Sequence, residues 1–393
     1  VSTLDWKRLA PHEPVARRDG VSVNQLLGLA HYVPGTSAYV ERPFDGGDRL
    51  AQRVRAGLSP LAVAGAFGCG KSTELAVAAR TLEPEFAVVL ARLDRVANMR
   101  GAPADASETA RMVDAIARLQ ADSWVFHGVG LALLEVAQSR GVQIDSNLRG
   151  ELSREPSMGG VPLAPRDAFL QALRTLKAGA PQGRVALLVD GLEKAEDSAA
   201  LAAVRLLLSF RDEAALVFVV PSSLVTGPGT YSLSSDGVRL FPLRAIPTYR
   251  REGMGFLKAI AMKRLGLTEL SLQLDFLFST AARASGGLPR MFLQILQDAA
   301  GYASLEQREV PEREDLRNAV MDHMESIQRL LREGDRDVLQ DADGHDGSEV
   351  PLERRLRLVS QGLLLEYPTS GGRMEVHPHP LVSQSALGEL RLV

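Results

Sequence analysis

The stretch Gly65-Ala66-Phe67-Gly68-Cys69-Gly70-Lys71-Ser72, followed by Thr73, decides the fold. It follows the apolar run Leu61-Ala62-Val63-Ala64 and precedes a helical pattern over Glu74–Leu82. Strand, glycine loop and helix in that order, with Lys-Ser at the helix start, make a phosphate-binding loop. The glycines let the backbone N–H groups converge on an anion, which a Cβ would obstruct. The helix start adds its dipole and free N–H groups. In that geometry Lys71 reaches the β and γ phosphates, and the Ser72 hydroxyl ligates Mg²⁺. The chain is therefore expected to bind a nucleoside triphosphate.

Outward from the loop, apolar runs of strand length alternate with helical patterns. The runs are Phe86–Ala91, Val185–Val189, Leu216–Val220 and Val238–Leu243; helices are read at Asp48–Ala56 and Ala199–Phe210, and through most of 107–180. This alternation predicts an α/β fold, a P-loop NTPase parallel sheet sandwiched by helices. Beyond 247 the pattern becomes helical, at Thr248–Leu265, Leu272–Ser285 and Pro289–Ala303, which predicts a helical lid. Helices at Glu314–Arg332, Asp335–Asp341 and Leu352–Gln361 follow. A hairpin then runs Leu363–Tyr367, turns at Thr369–Gly372 and returns over Met374–Val376. Helices ending in a two-stranded wing predict a C-terminal winged-helix domain. The expected divisions are an N-terminal segment 1–37 with a short helix at Val23–His31, an ATPase core 38–246, a lid 247–310 and a winged helix 311–393.

The segment Val185-Ala186-Leu187-Leu188-Val189-Asp190 ends in a carboxylate at a strand tip, where ligands bind in parallel sheets. Asp190 there holds Mg²⁺ opposite Ser72, usually through water. Glu193, three residues on, either serves as the base for an attacking water or starts a solvated helix. Ser222 and Ser223 after the next strand either report on the γ-phosphate or act as cap and turn serines. Cys69 lies inside the loop as an oxidation target or as a tolerated position.

These motifs together resemble the STAND branch of AAA+-related P-loop ATPases, which includes the NACHT and NB-ARC switches. Tyr39-Val40-Glu41-Arg42-Pro43 is similar to the family's arginine motif near the adenine, and Ser285-Gly286-Gly287-Leu288-Pro289-Arg290 to its lid motif, whose proline packs on the base. Glu375-Val376-His377-Pro378-His379-Pro380-Leu381-Val382 is similar to the end of its winged helix. The resemblance implies that His379, with His377 as the alternative, senses the ADP phosphate. It further implies an ATP- and Mg²⁺-dependent switch of slow turnover that oligomerises or engages partner proteins in trans. The chain departs from the pattern in three ways. Ser222-Ser223 stand where NB-ARC members usually place an arginine, which leaves Arg244, Arg250, Arg251 and Arg290 as candidate γ-phosphate sensors; Pro380 replaces an acidic residue; and sensor repeats are absent.

A second function class comes from Arg354, Arg355 and Arg357 on the helix before the wing, with Arg373 on the wing. If Leu352, Leu356 and Val359 form the buried face, the arginines are exposed and able to contact DNA phosphates. Acidic neighbours such as Glu353 and Asp341, and a formal net charge of −3, argue for a solvated face or one turned to the core. A non-hydrolysing nucleotide-bound scaffold is the third class. With 45% hydrophobic residues and no apolar run of membrane-spanning length, neither a disordered chain nor a membrane span is expected. One cysteine and the polar start fit a cytoplasmic setting, and 39 arginines against six lysines fit a GC-rich bacterial source.

Overall fold

The computed structural model describes residues 39–93, 125–153, 165–226, 228–308, 310–342, 350–368 and 374–382. The expected helix at Val23–His31, the wing turn Thr369–Gly372 and Arg373 lie outside them. Five strands, β1 (Leu61–Ala64), β2 (Ala87–Arg92), β3 (Val185–Asp190), β4 (Ala215–Val219) and β5 (Arg239–Pro242), form one sheet in the order β2-β3-β4-β1-β5. All four pairings are parallel.

Successive residues of a strand point to opposite faces, so continuous apolar runs require cover on both sides. The odd residues Val185, Leu187 and Val189 of β3 pack with Ala62, Leu216 and Phe218 against helices α3 (Pro165–Ala178) and α4 (Asp197–Leu208), and against the helical residues 125–139. The even residues Ala186 and Leu188 pack with Leu61, Val63, Val217 and Val219 against α1 (Gly47–Arg55) and α2 (Lys71–Leu82). Every residue of β3 is buried. At about 1.5–3 kcal/mol per buried aliphatic or aromatic side chain, these two faces dominate the stability of the core. The carboxyl ends of β1, β4 and β3 lie side by side, and the loops that leave them meet at one crevice.

After β5 the chain crosses Leu243–Pro247 and enters α5 (Arg251–Leu265), α6 (Leu272–Ala284) and α7 (Pro289–Leu305), the helical lid. The expected start of α5 at Thr248 is three residues early. Gly253 approaches Pro247 so closely that a Cβ would sit 2.3 Å from its carbonyl oxygen, and residues 248–250 form the turn that brings it there. Ser271 caps α6 through its Oγ, which accepts from the Leu274 N–H at 3.2 Å. Next come α8 (Arg313–Gln328), opened by a Glu312/Asp315 capping box, then α9 (Asp335–Asp341) and α10 (Leu352–Ser360). The antiparallel hairpin β6 (Leu364–Pro368) and β7 (Met374–Pro378) completes the winged helix. Lid and winged helix share a single apolar core, with Phe278 and Phe292 packed in one cluster with Val320, Leu358 and Val376. Among the described residues, no helix is long and apolar enough to cross a membrane.

Candidate functional site

The phosphate loop joins β1 to α2, and its glycines are required by geometry. Gly68 and Gly70 have φ of 82° and 103°, in the left-handed region. A Cβ on Gly65 would lie 2.0 Å from the Leu243 carbonyl oxygen. Arg42, only 6% exposed, braces the loop. Its Nη1 donates to the Cys69 carbonyl at 2.7 Å, its Nε to Phe44 O at 3.0 Å, and its Nη2 to the Arg244 carbonyl just beyond β5. Glu74 on α2 accepts the Gly47 N–H at 2.7 Å, which ties α1 to α2. Burial pushes the Glu74 carboxyl up, and the neighbouring Arg42 charge opposes that.

The chemistry-bearing groups lie in front of the loop. Lys71 Nζ donates to Gly65 O at 2.9 Å and Ala66 O at 3.2 Å. At the end of β3 the chain turns through Gly191, φ 100°, whose N–H is shared by Asp190 Oδ1 and Glu193 Oε2, each at 3.0 Å. The two carboxylates are thereby held together beside Lys71. Burial raises the Glu193 pKa first, the Asp190 charge raises it further, and Lys71 pulls it back. The β2–β3 register sets Arg92 opposite Asp190, with Nε 4.0 Å from Oδ2.

A cavity of about 360 Å³ opens over this arrangement. Its floor is Phe67–Glu74, one wall carries Glu193 and Arg92, and another carries Arg42 with Tyr39 and Val40. The lid closes it with Phe256, Ile260 and Arg264 from α5 and Pro289, Arg290 and Leu293 from α7. The volume falls within the ~300–1,000 Å³ of typical small-molecule sites, and the mix of apolar walls with a few converging polar groups is also typical.

The candidate residues separate by place. Phe67, Gly68, Cys69, Gly70, Lys71, Ser72, Thr73, Arg42, Glu193 and Pro289 line this cavity. Asp190 adjoins it through the N–H it shares with Glu193. Gly65 and Ala66 face a second cavity behind the loop together with Ser222, whose Oγ donates to Gly65 O at 3.2 Å. Ser223 instead donates to Asp197 at 2.5 Å. Among the four candidate arginines, Arg290 alone reaches the first cavity. Arg244 pairs with Asp45 at 3.5 Å, Arg250 lies over the Tyr249 ring at 5.7 Å, and Arg251 opens α5 at the surface.

His379 does not line the cavity. It is 1% exposed and packs behind the lid turn, where a Cβ on Gly286 would come within 3.2 Å of its ring. Its Nδ1 accepts the Leu381 N–H at 3.2 Å, and Nε2 is buried facing the Ser285 backbone. Burial lowers its pKa to about 3, so the ring is neutral at physiological pH. His377 sits nearer the surface, 3.8 Å from Glu375 and against the Tyr249 and Tyr367 rings.

Two cavity arginines were not anticipated. Arg264 falls on one helical face with Phe256 and Ile260, a spacing visible in the sequence once α5 is placed over the loop. Arg92 carries no such signal, because only the strand order brings it to Asp190.

The expected basic face of α10 is corrected. Leu358 and Val359 form its buried side, while Leu352 is 49% exposed. Arg357 is turned inward, with Nη2 at 2.5 Å from Oδ1 of the fully buried Asp335; Arg354 lies 3.8 Å from the same oxygen, and Arg355 lies 3.4 Å from Glu366. Burial alone would raise the Asp335 pKa, but the Arg357 hydrogen bond, the Arg332 N–H and the two guanidinium charges outweigh it and hold the carboxyl low. Arg357 and Arg354 are engaged within the winged helix because buried Asp335 requires a partner, and Arg355 is engaged there by Glu366.

No protein-family model and no curated protein matches the chain. Several solved structures are similar. The Aeropyrum pernix ORC1 protein in complex with DNA matches at 16% identity over 91% of this chain and 94% of its own, with a TM-score of 0.43. The Aeropyrum pernix ORC2 protein in ADPNP–ADP complexes matches at 13% identity over 93% and 96%, with a TM-score of 0.45. Drosophila ORC bound to DNA matches at 14% identity over 96% and 94%, with a TM-score of 0.42. At these identities and scores, any functional reading rests on the site's own residues.

Proposed function

We propose that this chain is an AAA+-related ATPase that binds ATP at the phosphate loop and hydrolyses it slowly. One observation carries the reading: Lys71, Ser72 and Glu193 share a single cavity with the lid residues Pro289 and Arg290. In this reading the loop's N–H groups and Lys71 hold the phosphates, and Pro289 with Arg42 borders the base. Glu193 accepts the proton of the attacking water, while Arg290 faces the terminal phosphate.

The donor set fits Mg²⁺. A hydroxyl at Ser72 and a carboxylate at Asp190 suit a hard cation that keeps several waters and binds through one or two protein oxygens plus phosphates. Among the described residues, no group of three or more His, Cys, Asp or Glu forms an all-protein cage, which agrees with that mode. The mutual repulsion of buried Asp190 and half-buried Glu193 is the feature a divalent cation would relieve. When bound, the ion would neutralise charge on the phosphates.

The test is direct. Lys71→Ala should abolish ATP binding, and Glu193→Gln should keep ATP affinity within about threefold while lowering turnover about 10²–10⁴-fold. Normal turnover in Glu193→Gln would remove that residue from the chemistry.

Hydrolysis in this reading times a switch between the core 38–246 and the lid and winged helix beyond it. Two outputs follow from it. One is a STAND-like assembly, with itself or with partner proteins, and bacterial signalling or defence roles belong there. The other is a DNA-associated ATPase of initiator or transposition-regulator type, which the winged-helix architecture favours. On this chain a DNA contact would have to use a face other than Arg354, Arg355 and Arg357, since those pair internally.

A further inference from the structure

Phe67 occupies a variable position of the phosphate loop, yet it is a large aromatic side chain left 62% exposed. Packing does not account for it, because a ring so open gains little from burial. Its contact with the lid does. The Arg290 guanidinium lies over the ring, 4.5 Å from the centroid. The Arg290 N–H also donates to Gly68 O at 3.2 Å, and Gly68 has no side chain where a Cβ would come 3.1 Å from Arg290 Cβ. The first turn of α7 is thus seated on the loop by its backbone, and the ring fixes where the charged head of Arg290 goes. Both side chains line the cavity that also holds Lys71 and Glu193, and the Asp190 and Glu193 charges act on the guanidinium. A planar guanidinium stacks well on an aromatic face and loses few of its hydrogen-bonding edges by doing so.

We propose that Phe67 is a positioning residue: its ring holds the Arg290 guanidinium at the mouth of the phosphate loop, aimed at the terminal phosphate of a bound triphosphate. The ring thereby makes the site favour a triphosphate over a diphosphate. This rests on the ATPase reading above and adds to it a discriminating element that belongs to the loop itself.

Five proteins test it: the unaltered chain, Phe67→Leu, Arg290→Ala, the double variant, and Phe67→Trp as the conservative control. Affinity for ATPγS and for ADP and steady-state turnover are measured for each. Phe67→Leu should weaken ATPγS and lower kcat by about tenfold, the size of one partly desolvated cation–π contact, with ADP affinity unchanged. Phe67→Trp should restore both, and Phe67→Leu should add nothing in the Arg290→Ala background. Equal loss of ADP and ATPγS affinity, or a full effect of Phe67→Leu without Arg290, would overturn the proposal and make Phe67 a direct nucleotide contact or a loop support. An arginine-selective dicarbonyl reagent, with modified peptides mapped by mass, gives a readout independent of nucleotide. Arg290 should react faster in Phe67→Leu than in the unaltered chain, and equal rates would also overturn the proposal. If the unaltered chain binds no ATP, the ATPase reading falls instead, and the dicarbonyl rates alone decide whether the ring holds the arginine.

Discussion

A buried and a half-buried carboxylate hydrogen-bonded to one backbone N–H repel each other, and Asp190 and Glu193 are in that position at Gly191. The burden falls on Glu193, whose pKa is raised by burial and by Asp190, with Lys71 only partly compensating. A general base must be unprotonated to act, so a raised pKa moves the acid limb of activity upward. We predict that kcat rises with pH through a midpoint above the ordinary glutamate value of 4.5 and that this limb disappears in Glu193→Gln. A pH–rate profile whose acid limb is the same in both proteins would assign the ionisation to another group. Lys71, Ser72 and Asp190 were legible in the sequence because each is fixed by a short motif: a glycine loop entering a helix, and a carboxylate ending an apolar strand. Arg92 was not legible. It comes from a strand nearly a hundred residues before Asp190, and only pairing in register sets the two side by side.

At the scale of an element, α10 shows how a short amphipathic helix can be misjudged. Its sequence Leu352-Glu353-Arg354-Arg355-Leu356-Arg357-Leu358-Val359-Ser360 offers two apolar stripes, one through Leu352, Leu356 and Val359 and one through Leu358 and Val359. Two turns of helix do not distinguish them. The buried Asp335 on α9 and the strand that follows at Leu364 do, because one pulls Arg357 inward and the other places Leu358 in the shared core. Asp335 has a depressed pKa in the folded chain, so its contribution is present above the unfolded value of 3.8 and lost as pH falls through the folded one. Asp335→Asn should therefore destabilise the winged helix by about 3 kcal/mol at pH 7, since Arg357 is left without its charge partner. The difference from the unaltered chain should shrink as the pH drops below the unfolded value of 3.8, as read by denaturant unfolding. A pH-independent difference would mean that the pair acts through packing alone.

For the whole molecule, the shared core makes lid and winged helix one body, which meets the α/β core through apolar packing, where Leu288, Leu365 and Tyr367 join Leu61, Val63 and Leu243, and through backbone hydrogen bonds. Ala245 N–H donates to Glu366 O at 3.2 Å and Ile246 N–H to Gly287 O at 3.0 Å, while inside the body Tyr367 OH donates to the Gly286 carbonyl at 2.7 Å. Gly287 passes so near the linker that a Cβ would lie 1.8 Å from Ile246 O, so the lid turn, the linker and the wing cross at one point beside Pro289. Under the proposed ATPase reading, a change at the terminal phosphate felt by α7 would reach the wing through this crossing. Light scattering after size exclusion should show an ATP-dependent change of mass if the output is assembly. Double-stranded DNA titrated at several salt concentrations should show steeply salt-dependent binding if the output is DNA. In the DNA case Arg354→Ala should leave the salt slope unchanged, because that side chain is directed at Asp335.

The sequence by itself determined what local order and periodicity encode: a phosphate loop between strand and helix, a parallel sheet buried on both faces, and a helical region ending in a wing. These follow from backbone sterics and from apolar spacing, which act over a few residues. Tertiary structure alone decided which groups share the cavity with Lys71. It brought Arg92, Arg264 and Arg290 to that cavity, kept His379 out of it behind the lid turn, and turned Arg354 and Arg357 of α10 toward buried Asp335. Those outcomes depend on strand order and on the desolvation of particular charges, quantities that exist only once distant segments have been packed together.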